Sequence, residues 1–117
     1  MLVTRKFEFD SAHTLSKDLG SKENRVHGHR YVLEVTIRGS VNSGVVMNIA
    51  DIKEIVTNEI LSILDHNYLN EVIENPTMEN ISLWIWDRLK DKLNGLYELK
   101  LYETPNNYVT YRGEEND

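Results

Sequence analysis

Three of the four histidines in this chain fall where their imidazoles can converge. His27 and His29 flank a single glycine in KENRVHGHRY, with Glu23 four residues ahead of the first. Residues two apart in a strand share a face, so both imidazoles point the same way as Tyr31, Leu33, Val35 and Ile37. The stretch FEFDSAH carries a similar alternation through Phe7, Phe9 and Ser11 to His13. Consecutive strands usually pair, which brings the end of the first near the start of the second. Three neutral imidazoles without a thiolate are the ligand set of a catalytic zinc site, whose fourth tetrahedral position stays open to water or substrate. A structural zinc site would normally close that shell with cysteines, and the chain has none. A lone histidine at a strand end is better read as an ordinary polar residue. A core-facing HGH pair with a third histidine on the next strand favours His13, His27 and His29 as metal ligands, and Gly28 lets the strand approach closely or bulge.

The remaining chemistry is less distinctive in sequence. Asp65 precedes His66 in LDHNYLN, where a carboxylate beside an imidazole suits proton transfer. Taken alone, the dipeptide reads as a helix end followed by an exposed histidine. Glu103 shares strand parity with Tyr97, Leu99 and Leu101, so a carboxylate ends an inward-facing row. It either pairs with Arg5, the one misfit on the apolar side of the first strand, or accepts two parallel N–H bonds from a guanidine-like ligand edge. Thr77 and Glu79 in PTMEN most simply supply a helix cap and a favourable first-turn charge.

The elements that must carry these residues follow from periodicity. Period-2 alternation predicts strands over Leu2–Phe9 and about Val26–Arg38, separated by a polar loop from Ser16 to Asn24. Ile52, Ile55, Val56, Ile60, Ile63 and Leu64 recur at helical spacing after an Asn48 cap, with Asp51 in the first turn. A second helix opens at Thr77, carries Ile81, Trp84, Ile85 and Leu89 on one face, and ends near Gly95. Strands over Tyr97–Glu103 and Tyr108–Arg112 follow, joined by TPNN. The expected fold is a single α+β domain over residues 1–117, ordered ββααββ: one four-stranded antiparallel sheet with both helices on one face. Two open sheet edges invite sheet extension between copies, so a homo-oligomer is expected.

Composition narrows the function classes. At 117 residues, 40% hydrophobic and 27% charged, the chain suits one globular domain. Thirteen basic against 19 acidic residues, net −6, with no basic stripe, argue against nucleic acid as a partner. No apolar run approaches the roughly 20 residues of a membrane span, and MLVTRKFEF lacks the apolar core of a signal peptide. A cytoplasmic protein without membrane association is the expectation.

In their order and spacing, FEFDSAHTL, HGHRY, LDHNYLN, PTMEN and LYET resemble the 6-pyruvoyl-tetrahydropterin synthase and 6-carboxytetrahydropterin synthase family, over about residues 7–111. The resemblance implies a tunnelling fold, in which trimers close a barrel from subunit sheets and usually stack as hexamers with active sites between subunits. It implies Zn2+ on His13, His27 and His29, a pterin held by Glu103 with help from Thr77 and Glu79, and an Asp65–His66 pair that works in proton transfer. The implied activity is that of a zinc-dependent carbon–carbon or carbon–oxygen lyase on 7,8-dihydroneopterin triphosphate.

Two stretches depart from the family pattern. Its catalytic cysteine, four residues before the first histidine of HGH, is Glu23 here, and Asn48 and Ile49 stand where many relatives have an Asp-Phe pair. Glutamate around the first position is associated with cleavage of the side chain to 6-hydroxymethyl-7,8-dihydropterin. Thiol-bearing relatives form the 6-pyruvoyl- or 6-carboxy-tetrahydropterins, and a metal- or pterin-binding oligomer without turnover is the remaining reading. A solvated carboxylate is ionised but weakly basic, and enclosure in a dry pocket would strengthen it as a base.

Overall fold

Alternating side chains build two long strands, β1 (Leu2–His13) and β2 (His27–Arg38), in a computed structural model that describes residues 1–15 and 25–114. They pair antiparallel without a register break, from Leu2 opposite Arg38 to His13 opposite His27. Helix α1 (Ile49–Val56) is capped by Asn48, whose side chain accepts the Ala50 N–H at 2.9 Å. It runs on through one π-helical turn (Thr57–Leu61) into a closing turn (Ser62–Leu64). Strand β3 is the two residues Asn67–Tyr68, followed by a 3₁₀ turn (Leu69–Glu71). Helix α2 (Met78–Leu89) and strands β4 (Leu96–Thr104) and β5 (Asn107–Tyr111) complete the order.

The sheet has five strands in the order β3-β1-β2-β4-β5, and β3 lies parallel to β1 while the other pairs are antiparallel. This corrects the expected four-stranded antiparallel sheet. A two-residue strand carries no periodicity, and it forms only because the free edge of β1 offers backbone partners at Ser11 and Ala12. The second helix also ends six residues before Gly95, which instead forms the turn into β4.

Both helices cover the same face of the sheet. Phe7, Phe9, Tyr31, Leu33, Val35, Leu99 and Leu101 meet Ile52, Val56, Ile60, Leu64, Ile81, Ile85 and Leu89 in one core. Full burial of each large apolar side chain contributes about 1.5–3 kcal/mol. The strict four-residue spacing of Ile52, Val56, Ile60 and Leu64 would rotate by about 40° per step on an ideal α-helix. The wider π turn takes up that drift, and all four are fully buried. Arg88 on α2 joins the helices there, donating to the Glu59 carbonyl at 2.9 Å with its guanidinium 5.0 Å over the Trp84 ring. No helix among the described residues is long and apolar enough to cross a membrane.

Gly95 is required by the backbone. Its φ is +85° and its carbonyl accepts the Arg38 N–H at 2.8 Å, while a Cβ would sit 2.5 Å from the Arg38 carbonyl oxygen. Gly44 has φ +84° with open space around it. Gly95→Ala is therefore expected to lower unfolding free energy by about 2 kcal/mol or more and Gly44→Ala by about 1 kcal/mol. Equal losses in urea denaturation would remove the steric part of this account.

Candidate metal centre and adjoining residues

The β1–β2 register assembles three imidazoles at the end of the core. His13 and His27 are direct cross-strand partners, and His29 lies opposite Ser11, one step along the same inward row. The ring centroids are 4.4 Å apart for His13 and His27, 5.2 Å for His13 and His29, and 5.0 Å for His27 and His29. One ligand nitrogen from each lies within 4.8 Å of the others, and no further histidine or carboxylate of the described residues belongs to that set. Beyond His13 the chain is held by Asn70, whose amide accepts the Thr14 N–H at 2.8 Å and donates to the Thr14 carbonyl at 2.7 Å.

Hydrogen bonds fix which nitrogens are free. His13 Nδ1 lies 2.8 Å from the Pro76 carbonyl and His27 Nδ1 lies 2.7 Å from the Arg25 carbonyl. A carbonyl only accepts, so both Nδ1 atoms carry a proton, which leaves Nε2 as the nitrogen each ring can offer to a ligand. Those two Nε2 atoms face each other at 2.8 Å. His29 Nε2 is buried with no hydrogen-bond partner. Desolvation is the main cause that holds His13 and His29 below the usual imidazole range, which keeps them neutral near pH 7. Converging lone pairs with outward-donating Nδ1 groups are the arrangement a divalent cation requires, and the carbonyls are the outer partners that orient ligating histidines.

Around this centre stand two further groups. Glu103 Oε1 is 3.3 Å from His29 Nε2, and Oε2 is 4.0 Å from His13 Nε2. Arg5, the alternative partner weighed for Glu103, instead donates to the Ile49 carbonyl at 3.1 Å. The Tyr31 hydroxyl lies 3.2 Å from His13 Nδ1. Burial first, and the Glu103 charge second, hold that phenol well above its ordinary range, so it stays protonated. Thr77 caps α2 by accepting the Asn80 N–H at 3.1 Å, one residue from the carbonyl that orients His13. Glu79 is exposed in the first turn of α2 and borders a separate shallow cleft with Leu83 and Val109. Glu23 lies outside the described residues.

Asp65 and His66 lie against the edge of β1, and His66 borders a cleft there. Asp10, Ala12, Gly28 and Arg30 alternate outward from β1 and β2, and with His66 and Tyr68 they line an open cleft of about 780 Å³ that also reaches Ser11 and His29. The Asp65 carboxylate meets His66 Nδ1 at 3.0 Å, and His66 itself is 78% exposed. The Arg30 guanidinium beside Asp10 holds that carboxyl below the usual range.

Sequence reasoning missed Pro76, Arg25, Asn70 and the Asp10–Arg30 pair. The first three act through backbone groups or loop contacts that no side-chain pattern announces. Tyr31 was visible as a member of the inward row, two residues from His29, but not as a neighbour of His13.

Titrating Zn(II) into chelator-stripped protein should raise its melting temperature. At 100 times the dissociation constant the gain is about 2.7 kcal/mol, roughly 10 °C for a domain of this size. His29→Ala should lose most of the increment, and an increment that survives would place the metal elsewhere.

A family model described as 6-pyruvoyl tetrahydropterin synthase matches residues 2–114. A 6-pyruvoyl tetrahydrobiopterin synthase of Dictyostelium discoideum is 44% identical, covering 97% of each chain. A dihydroneopterin monophosphate aldolase of Pyrococcus furiosus is 38% identical over 84% of this chain and 82% of its own. The structure of Caenorhabditis elegans 6-pyruvoyl tetrahydropterin synthase superposes with a TM-score of 0.84 at 31% identity, covering 97% of this chain and 95% of that one. With the five-stranded mixed sheet, both helices on one face and a three-histidine centre, the chain belongs to the 6-pyruvoyl tetrahydropterin synthase family.

Proposed function

We propose that this chain is a zinc-dependent lyase of pterin metabolism, acting in the cytoplasm on 7,8-dihydroneopterin triphosphate and cleaving its side chain to 6-hydroxymethyl-7,8-dihydropterin. The observation that carries the reading is the convergence of the His13 and His27 Nε2 atoms, 2.8 Å apart with each Nδ1 on a backbone carbonyl, beside a His29 Nε2 that lies 3.3 Å from the Glu103 carboxylate. Zinc bound there would supply Lewis acidity, lowering the pKa of a side-chain hydroxyl.

The residues divide the remaining work. Glu103 accepts the amino and ring N–H edge of the pterin, which orients the side chain toward the histidines; Thr77 is assigned to the same pocket, whereas Glu79 borders a separate cleft and is left out of it. Glu23 removes the proton from the hydroxyl on the second side-chain carbon. That carbon becomes an aldehyde carbonyl as its bond to the first side-chain carbon breaks. The electron pair passes to the pterin ring, and a proton from His66, oriented by Asp65, completes the hydroxymethyl group. The two-carbon aldehyde leaves with the phosphates. The Pyrococcus furiosus relative, named for an aldolase reaction on a dihydroneopterin phosphate, supports this bond cleavage.

Asp65 and His66 are held on the Asp10 peptide at the edge of β1, and the cleft that His66 lines takes in neither His13 nor His27. We therefore assign them to the site of a neighbouring copy, in trimers joined through the open edges of β1 and β5 and stacked as hexamers. The second reading is a 6-pyruvoyl- or 6-carboxy-tetrahydropterin synthase, favoured by the 44% identity to the Dictyostelium discoideum enzyme.

The test is product analysis on purified, zinc-loaded protein incubated with 7,8-dihydroneopterin triphosphate. Hydroxymethyldihydropterin with a two-carbon aldehyde is expected. A product that keeps the side-chain carbons would replace this reading with the second, and tight pterin binding without product would make the chain a binding module. Glu23→Gln should lower kcat by about 10²-fold or more with metal retained. Undiminished turnover would exclude it as the base.

A further inference from the structure

Asp10 meets the Asp65–His66 pair with its backbone and Arg30 with its side chain. Its N–H donates to Asp65 Oδ1 at 2.9 Å, and its carbonyl accepts the His66 N–H at 2.6 Å. Both bonds leave the edge of β1 just before the two residues of β3 join it at Ser11 and Ala12. On the outer face, Arg30 is the direct cross-strand partner of Asp10. Its Nε donates to Oδ1 at 3.0 Å and its Nη2 to Oδ2 at 3.2 Å, a forked arrangement that fixes the plane of the carboxylate. Arg30 Nη1 also lies 3.7 Å from Glu8.

His66 needs such a tether. Its φ is +55°, in the left-handed region that a residue with a Cβ seldom adopts unless its surroundings hold it there. Its ring is exposed, so packing does not supply the hold. The Asp10–Arg30 pair is itself solvent-facing, with Arg30 65% and Asp10 45% exposed, and exposed ion pairs add little to global stability. What the pair can do is local: it pins the segment of β1 whose peptide groups grip the dyad.

A cation held by Asp10, Asp65 and His66 is the competing reading, since their ligand atoms lie within 4.8 Å of one another. Both Asp10 oxygens already accept from Arg30, and Asp65 accepts from the Asp10 N–H. The guanidinium stands where the cation's charge would be needed.

We infer that the Asp10–Arg30 pair is a positioning unit for Asp65 and His66, acting through the Asp10 peptide groups to aim the imidazole into the outer-face cleft. The catalytic consequence rests on the reading of Asp65–His66 as the proton-transfer pair, but the tether is measurable without turnover. In zinc-loaded protein, Arg30→Gln and Asp10→Asn should speed amide hydrogen exchange at His66 by about tenfold or more, while core amides stay protected. The same variants should lower kcat about tenfold with KM within about twofold. Arg30→Lys, which keeps the charge without the fork, should recover part of both. Unchanged His66 exchange in the Gln and Asn variants overturns the inference, and so does a kcat loss without faster exchange. A second metal equivalent bound by Asp10, Asp65 and His66 in the unsubstituted protein overturns it in favour of a cation site. If the unsubstituted protein turns nothing over, the proposed function falls and the exchange measurement alone decides the tether.

Discussion

The pairing register of β1 with β2 is the constraint on which both the core and the candidate site depend. Side chains alternate between faces along each strand, so a slip of one residue would carry Phe7, Phe9, Tyr31 and Leu33 out of the core. The same slip would turn His27 and His29 away from His13. The apolar row that drives folding is therefore the ruler that measures out the ligand spacing. Because the three imidazoles terminate that row, the hydrophobic pattern that selects one register also selects one ligand set.

Burial then dictates the protonation of the site. His13 is fully buried, and desolvation disfavours its charged form, so any cation bound there would meet a neutral ring with one nitrogen already occupied. The occupied nitrogen depends on where α2 begins. Thr77 is the N-cap, and its carbonyl accepts the first helical bond from Ile81, which leaves the Pro76 carbonyl outside the helical ladder and available to His13. A capping residue on one element thus settles the tautomer of a ligand on another.

Most of this fold was legible because its signals are periodic. The inward parity of His13, His27 and His29, the Asn48 cap and both helix faces follow from counting residues. Strand β3 was not, since two residues cannot show a period and its backbone partners lie 56 positions earlier in the chain. The end of α2 was misplaced because Gly95 looks like a helix terminator, whereas its positive φ serves the approach to Arg38. Glu103 was poised in sequence between Arg5 and a ligand. Geometry removed the first option because Arg5 is taken by the Ile49 carbonyl. The side of the sheet on which Asp65 and His66 lie was also beyond the sequence, for it depends on a loop returning to the outer edge of β1.

That last placement has a consequence for how such a site can work. By strand parity Asp10, Ala12, Gly28 and Arg30 alternate with Ser11, His13, His27 and His29. His66 lines the outer cleft, which reaches His29 but neither His13 nor His27 of the same chain. On the proposed reading, a substrate at the three histidines of one copy meets His66 from another, so catalysis depends on assembly as well as on folding. The groups that hold His66 are then structural neighbours of β1 and β2 in one chain and functional neighbours of a substrate in the next. On that reading the strand pairing that gathers the three histidines would also set the orientation of the acid supplied to a second copy, because Asp10 and Arg30 belong to the same register as His13 and His27.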